Sequence, residues 1–261
     1  MKTSPLALIT GASTGIGKEM ARIHAQQQGD LVIVARSESK LNALKLELEQ
    51  EFGVIVTVIA MDLTAPSAAR DLYAETQARN LQVDYLINNA GFGGHGLFHE
   101  RELAKEQQMM QLNMVTLTEL THLYVQGMIS RKFGKVLNVS STASFIPGPL
   151  QAVYYATKAY VTSFSQALSE ELKEHYVTVT ALCPGPVATE FASTGDLHGV
   201  EIFDKAKSAK SVAFVGYSGM VKGELLSFNE PGLKFLLNWI TPLLPRKLVL
   251  KMSRQSMEKT A

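Results

Sequence analysis

Residues 6–17 decide the fold and read Leu6-Ala7-Leu8-Ile9-Thr10-Gly11-Ala12-Ser13-Thr14-Gly15-Ile16-Gly17. The first five residues are apolar or β-branched, which predicts a short buried strand. Three glycines spaced Gly-x-x-x-Gly-x-Gly come next, and a helix-forming segment follows them. A strand, a glycine-rich turn and a helix start can hold a dinucleotide pyrophosphate, because glycines admit the phosphates and the helix N-terminus attracts them.

Short apolar segments alternate with helix-like segments along residues 1–200. The segments that resemble the first strand are residues 31–35, 54–60, 83–88, 135–139 and 177–182. Leucines three and four residues apart mark one face of a helix, as at Leu41, Leu44 and Leu48. A helix over residues 208–222 and a seventh strand over residues 225–228 complete the pattern. The alternation predicts an α/β fold, a doubly wound (Rossmann) and mostly parallel seven-stranded sheet with helices on both faces.

The same glycine turn permits a second interpretation. Gly11-Ala12-Ser13-Thr14-Gly15 also matches Gly-x-Ser-x-Gly, the pattern of a hydrolase nucleophile elbow. Such an elbow usually follows several strands, since an earlier loop supplies half of the oxyanion hole. Here the pattern follows the first strand, which favours dinucleotide binding.

Composition limits the class of protein. The net charge of +1 lacks the basic excess of a dedicated nucleic-acid binder. The single cysteine, Cys183, has no partner for an internal disulfide, and residues 1–5 are too few for a targeting segment, so we expect a reducing cytoplasm. His95 and His99 lie four residues apart in a glycine-rich segment, without the other ligands of a zinc site. No metal is predicted.

The end of the second strand selects the dinucleotide. An acidic residue at this point would bind a ribose 2′-hydroxyl, but this chain has Arg36-Ser37. An arginine fork suits a 2′-phosphate, which a carboxylate would repel. The sequence therefore predicts NADP(H) rather than NAD(H), with a solvated surface arginine as the alternative interpretation of Arg36.

Tyr154 and Lys158 form the strongest candidate catalytic pair. On a helix they are i,i+4 neighbours, and Ser141 precedes the tyrosine by thirteen residues. A free tyrosine titrates near 10, and a neighbouring cation typically lowers such a pKa by about one to three units. A Tyr–Lys pair beside a nicotinamide can therefore act as a general acid/base.

Taken together, these motifs resemble the short-chain dehydrogenase/reductase family over about residues 5–190. The matching positions are Thr10-Gly11, Gly15, Gly17, Asn88-Asn89-Ala90-Gly91, Asn113, Ser141, Tyr154, Lys158 and Pro184-Gly185. The resemblance implies an oxidoreductase with Tyr154 as proton donor or acceptor and Ser141 bonded to the substrate oxygen. It also implies that Lys158 lowers the pKa of Tyr154 and holds the ribose hydroxyls, and that Asn113 positions a water that relays protons.

The resemblance implies a full set of cofactor contacts. They are Gly11, Ser13, Thr14, Gly15, Ile16, Gly17, Arg36, Ser37, Asp62, Leu63, Asn89, Ala90, Gly91, Tyr154, Lys158, Pro184, Gly185, Val187 and Thr189. Two choices depend on the family's spacing. It selects Tyr154 over Tyr155, which is also in helical reach of Lys158, and Ser141 over the adjacent Ser140.

The predicted function is an NADPH-dependent interconversion of a carbonyl and a secondary alcohol on a small, hydrophobic substrate. Two alternatives remain: an NAD-linked alcohol dehydrogenase, and a non-catalytic NADP-binding regulator. The resemblance also implies a homodimer or homotetramer. We expect segments 91–100, 144–151 and 190–212 to set the substrate.

The predicted single domain has two parts. Residues 1–230 form the Rossmann-type catalytic region, and residues 231–261 form an apolar and basic C-terminal extension packed on it. Residues 232–261 carry six lysines or arginines against one acidic residue, Glu258. Their prolines and charges argue against a membrane span. The extension is therefore expected to be a substrate lid, a subunit contact or a peripheral membrane element.

Overall fold

A computed structural model describes residues 4–259 of the chain; Met1–Thr3 and Thr260–Ala261, at the two ends of the predicted regions, lie outside the described residues. The strands are β1 Leu6–Thr10, β2 Asp30–Ala35, β3 Val56–Ala60, β4 Tyr85–Asn88, β5 Gly134–Val139, β6 Val177–Leu182, β7 Val187–Ala188, β8 Lys207–Ser208 and β9 Leu226–Ser227. The helices are α1 Gly15–Gln26, α2 Glu38–Phe52, α3 Ala68–Ala78, α4 Leu103–Met110, α5 Leu117–Arg131, α6 Ala152–Glu171, α7 Phe191–Thr194, α8 Ala209–Lys222, α9 Pro231–Phe235 and α10 Arg246–Ser256.

Seven of these strands form one parallel sheet in the order β3-β2-β1-β4-β5-β6-β9. The register pairs Ile9 of β1 with Ile33 of β2 and with Ile87 of β4, which places three β-branched side chains in one row. The order reverses between β1 and β4, so a crevice opens there at the carboxyl ends of the strands. The predicted doubly wound fold is confirmed, and β7 and β8 add a small separate parallel pair.

Helices cover both faces of the sheet because both faces of its strands are apolar. One core cluster joins the sheet to α1, α2 and α8, and it includes the predicted face of Leu41, Leu44 and Leu48. The cluster on the other face joins the sheet to α3 and α5. Burial of these side chains, at about 25 cal/mol per Å² of apolar surface, is the main favourable term in folding.

The last third of the chain follows the predicted pattern with shorter elements. The predicted helix is α8, whose N-cap Ser208 accepts a hydrogen bond from the Ser211 amide at 3.2 Å. The predicted seventh strand is reduced to β9, two residues that pair with the end of β6. The extension then runs through α9, a π-turn at Leu236–Ile240 and α10. Its boundary at residue 230 stays a prediction.

The glycine turn is held by close contacts between β1 and β4. The side-chain amide of Asn89 donates to the Thr10 carbonyl at 2.9 Å and to the Gly11 carbonyl at 3.1 Å. Gly11 has a φ of +65°, and a Cβ on Gly17 would lie 2.4 Å from the Gly11 oxygen. The first turn of α1 therefore packs on backbone, and only glycine fits at residue 17.

We expect Gly17→Ala to lower the free energy of unfolding by at least about 1 kcal/mol, because its methyl group would collide with backbone that has no space to move into. Gly232→Ala is the matched control, since a Cβ there meets nothing within 4 Å and both residues are helical. Denaturant titration of both variants measures the difference. Equal stability of the two variants would contradict the packing described for the turn.

Candidate active site

A cleft of about 750 Å³ lies over the carboxyl ends of the central strands. It is lined by the glycine turn, by residues that follow β2 and β3, and by the segments after β4, β5 and β6. Nearly all the predicted site residues line it. Among the described residues, Gly17 and Asn113 are the predicted site residues that lie behind its wall.

The glycine turn and the start of α1 line the cleft. The N-cap of α1, Thr14, makes no side-chain capping bond, so the first N–H groups of the helix have no partner from that side chain. Gly15 has a φ of +58°, and a Cβ there would lie 3.1 Å from the Thr189 methyl group. A narrow cradle with a free helix N-terminus fits a pyrophosphate.

Two sides of the cleft hold polar groups suited to the adenosine half of a dinucleotide. Arg36 and Ser37 line it beside the start of α2, and Arg36 is exposed with no carboxylate within 4.0 Å among the described residues. Asp62, which follows the neighbouring strand β3, also lines the cleft, and its carboxylate accepts from the Thr64 backbone amide at 3.0 Å. Lys40 also lines the cleft, but unlike Arg36 it is paired with a carboxylate, because its Nζ donates to Glu190 at 2.9 Å.

Further predicted cofactor contacts come from the segments after β4 and β6. Thr10 fixes the turn after β4, because its hydroxyl accepts from the amides of Asn89 and Ala90, both at 3.0 Å. Gly91, Pro184, Gly185, Val187 and Thr189 also line the cleft. The structure thus brings predicted cofactor residues of six separate segments to one cleft.

The structure separates the two adjacent serines. The Ser140 hydroxyl points into the core, where it bonds the Lys158 carbonyl at 3.0 Å and the Thr162 hydroxyl at 2.6 Å. Ser141 caps the following turn by accepting from Ala143 at 3.1 Å, and its hydroxyl faces that of Tyr154. Only Ser141 is therefore placed to contact a group beside Tyr154.

The two adjacent tyrosines also diverge, although both line the cleft. The Tyr154 ring packs against Phe191, with centroids 5.4 Å apart, while Tyr155 covers Gly148 and faces Ser253 of α10. Burial raises the pKa of Tyr154, and the weaker hydrogen bond from Ser141 acts in the opposite direction. The phenol of Tyr154 is therefore protonated at neutral pH.

Lys158 is buried beside Tyr154 and lines the cleft. Its Nζ donates to the Val139 carbonyl at 2.8 Å and lies 5.7 Å from the Tyr154 ring centroid. Burial lowers the pKa of Lys158 to about 8. In the protein alone, burial raises the pKa of Tyr154, so the expected net decrease does not occur.

Asn113 lies in a π-turn, Gln111–Thr116, that joins α4 to α5. Its side-chain oxygen accepts from the Phe92 amide at 3.2 Å, and its amide donates to the Phe92 carbonyl at 3.0 Å and to the Thr157 hydroxyl at 3.1 Å. The extra residue of a π-turn redirects a side chain within a helix. Asn113 thereby ties the loop after Gly91 to α6, which carries Tyr154 and Lys158.

The substrate side of the cleft contains a residue that sequence reasoning missed. Met257, at the end of α10, is fully buried and lines the cleft. Its carbonyl bonds the His95 ring at 2.7 Å, and the neighbouring Lys259 pairs with Asp196 at 2.9 Å. Phe191, Ile202 and Phe203 line the same side. No local pattern marks a methionine 99 residues beyond Lys158 as a pocket residue.

No group of three or more histidine, cysteine or acidic residues with the arrangement of a metal site occurs within residues 4–259. His95 bonds the Met257 carbonyl at 2.7 Å, whereas His99 is exposed and lies 3.7 Å from the Glu100 carboxylate. The two histidines therefore have separate partners.

Comparison with known proteins identifies relatives along most of the chain. A family model described as short chain dehydrogenase matches residues 5–196. The very-long-chain 3-oxoacyl-CoA reductase of Macaca fascicularis is 30% identical over 257 residues, which cover 95% of this chain and 78% of that protein.

Two solved structures share the fold and more than a quarter of the residues. A short-chain dehydrogenase from Sphingobium yanoikuyae in complex with NADPH is 29% identical, with a TM-score of 0.83 and coverage of 88% of this chain and 90% of that one. The bulky-bulky ketone specific alcohol dehydrogenase from Comamonas testosteroni is 27% identical, with a TM-score of 0.77 and coverage of 87% and 86%.

Cys183 follows β6 beside the cleft and is fully buried, as a small core residue. Burial raises its thiol pKa to about 12. Because only the thiolate is nucleophilic, we expect iodoacetamide at pH 8 to modify the folded protein about 10³-fold more slowly than the urea-unfolded chain. Mass spectrometry over time measures both rates, and comparable rates would show that the thiol is accessible.

Proposed function

Since the chain belongs to the short-chain dehydrogenase/reductase family, an oxidoreductase family, we propose that it reduces a ketone with NADPH by hydride transfer, or oxidises the corresponding secondary alcohol. The observation that carries the proposal is one cleft that joins a pyrophosphate cradle at Gly11–Gly17 to the hydroxyls of Ser141 and Tyr154. Bound NADP(H) would supply the hydride. Oxidation of NADPH by a panel of ketones tests the activity.

Tyr154 would donate the proton to the substrate oxygen during reduction. Burial supports this role, since a phenol with a raised pKa holds its proton until an oxyanion develops beside it. Ser141 would donate a hydrogen bond to the same oxygen, where charge develops in the transition state. Both side chains reach the cleft from fixed elements, α6 and the turn after β5.

Lys158 and Asn113 would return a proton to Tyr154 after each turnover. The lysine pKa of about 8 leaves its ammonium mostly protonated at neutral pH, yet able to exchange protons with a neighbour. In the proposed role it binds the ribose hydroxyls of the cofactor. Asn113 would position the water that relays protons to Lys158, and its bonds to Phe92 and Thr157 hold its amide in place for this.

NADP(H) is the proposed cofactor, because the cleft presents a free guanidinium where a 2′-phosphate would lie. Arg36 has no carboxylate partner within the described part of the chain, and Ser37 adds a hydroxyl beside it. The relative from Sphingobium yanoikuyae is described in complex with NADPH, which supports the same choice. An NAD-linked enzyme would more commonly place an acid at this position.

The proposed substrate is a bulky and lipophilic ketone. Phe191, Ile202, Phe203 and Met257 give the substrate side an apolar surface, with Tyr155 behind them. One relative is described as a very-long-chain 3-oxoacyl-CoA reductase and another as specific for bulky-bulky ketones. Long-chain 3-oxoacyl thioesters and bulky aryl ketones are therefore the first substrates for the panel.

We also propose a homodimer or homotetramer in the cytoplasm. Exposed apolar side chains on and after α8, Phe214, Val221 and Leu225, support self-association. The single unpaired cysteine supports a reducing compartment.

Tyr154→Phe is expected to lower kcat by about 10²–10⁴-fold, because the general acid is lost while the cleft keeps its shape. NADPH should still bind, which fluorescence titration measures. Tyr155→Phe is the matched control, with a hydroxyl that faces Ser253 rather than Ser141. Equal losses in both variants would contradict the assignment, and unchanged turnover of Tyr154→Phe would exclude it as the acid.

Arg36→Asp is expected to raise the KM for NADPH by about 10–100-fold and to reverse the preference toward NADH, since a carboxylate repels the 2′-phosphate and accepts from a 2′-hydroxyl. Steady-state kinetics with both cofactors measure the ratio. Lys173→Asp makes the same change of charge on an exposed residue that precedes β6 and does not line the cleft. An unchanged ratio in Arg36→Asp would show that Arg36 is only a surface residue.

A further inference from the structure

We propose that the outer surface of the C-terminal extension is a docking surface for an anionic phospholipid bilayer. We name this surface the C-terminal patch and define it by Phe235, Leu236, Trp239, Ile240 and Leu243, together with Arg246, Lys247 and Lys251. None of the helices within residues 4–259 is long and apolar enough to cross a bilayer, so the proposed contact is with its surface.

The apolar half of the C-terminal patch has almost nothing beneath it. Among residues 231–248 only Leu237 is buried. Trp239 is 69% exposed and Leu243 is 82% exposed, although both are large apolar side chains. Monomeric proteins rarely expose clustered side chains of this kind without a partner, and tryptophan is enriched at the interface of membranes.

The cationic half lies on the adjoining helix. α10 packs on the domain through Val249 and Ser253, which are buried. Lys247 and Lys251 lie about half a turn away from that inner face, so they point outward, and neither has a carboxylate within 4.0 Å among residues 4–259. Apolar side chains beside unpaired cations match the headgroup region of an anionic bilayer.

The distribution of charge favours an anionic bilayer over a second copy of the chain as the partner of the C-terminal patch. The whole chain carries +1 and residues 232–261 carry +5, so the remaining residues carry −4. A symmetric dimer through the C-terminal patch would place the same cations against each other. An anionic membrane instead attracts the patch and repels the rest of the molecule, which fixes one orientation.

The extension that carries the C-terminal patch borders the cleft at both of its ends. The extension begins where Leu233 lies 3.3 Å from the Cβ position of Gly185, and it ends with Met257; Gly185 and Met257 both line the cleft. If the substrate is a lipophilic ketone, which rests on the proposed function, a docked enzyme would take it up directly from the bilayer.

Trp239 is the single tryptophan of the chain, so its fluorescence reports on the C-terminal patch alone. The full-length protein is titrated with phosphatidylcholine vesicles and with vesicles of equal parts phosphatidylcholine and phosphatidylserine. We expect a blue shift of Trp239 emission, quenching by brominated lipid, and co-flotation with the anionic vesicles only. Added salt should weaken the binding.

Two sets of variants separate the contributions. Lys247→Gln and Lys251→Gln should each weaken partition into anionic vesicles by about fivefold, and Lys173→Gln, an exposed lysine that precedes β6, should leave it unchanged. Leu243→Ser should weaken partition by about tenfold or more, and thermal unfolding should be unaffected because that side chain is exposed. NADPH oxidation with a water-soluble ketone, measured without vesicles, tests the proposed function separately.

Three results would overturn the proposal. If neither vesicle type shifts the wavelength of Trp239 emission, the C-terminal patch does not dock on lipid. Equal binding to neutral and anionic vesicles would remove the role of the cations. A blue shift that grows with protein concentration in the absence of lipid, and that Leu243→Ser abolishes, would assign the patch to a second copy of the chain.

Discussion

The contact between the turn after β1 and the turn after β4 is the constraint on which the site depends. Asn89 bonds the Thr10 and Gly11 carbonyls, and Gly17 packs on the same backbone without space for a Cβ. These bonds join the carboxyl ends of β1 and β4 at the point where the strand order reverses. Both halves of the cleft are built on either side of that point, so the pyrophosphate cradle and the Tyr154 side share one rigid floor.

Burial, more than the pairing of charges, sets the protonation of the candidate catalytic groups. It raises the pKa of Tyr154 and lowers that of Lys158 to about 8, because both charged forms lose water. A donor that stays protonated beside a lysine able to exchange its proton suits delivery of a proton to a carbonyl oxygen. Proton removal from an alcohol would need more positive charge beside the phenol than Lys158 supplies.

Local sequence predicted the fold well because its signals are local. Apolar strand segments, helix faces and the glycine turn are each determined by residues that are close in sequence. Even the two-residue β9 lies within residues 225–228, where a strand was expected. The separation of Ser140 from Ser141 also agrees with the alternation of an extended chain. Met257 could not be predicted, since its place in the cleft depends on how α10 packs after two prolines. The bond between its carbonyl and His95 is tertiary, and so is the ion pair of the nearby Lys259 with Asp196.

The extension has two different surfaces, which bear on the roles that the sequence left open. Its inner surface supplies Met257 to the substrate side and faces Tyr155 through Ser253, which is what a wall or lid of the pocket requires. Its outer surface leaves Trp239 and Leu243 exposed, which pocket formation does not explain. A helix that packs through one face can meet a bilayer with the other. A pocket wall and the proposed membrane contact are therefore compatible in one segment, because they use different surfaces of it.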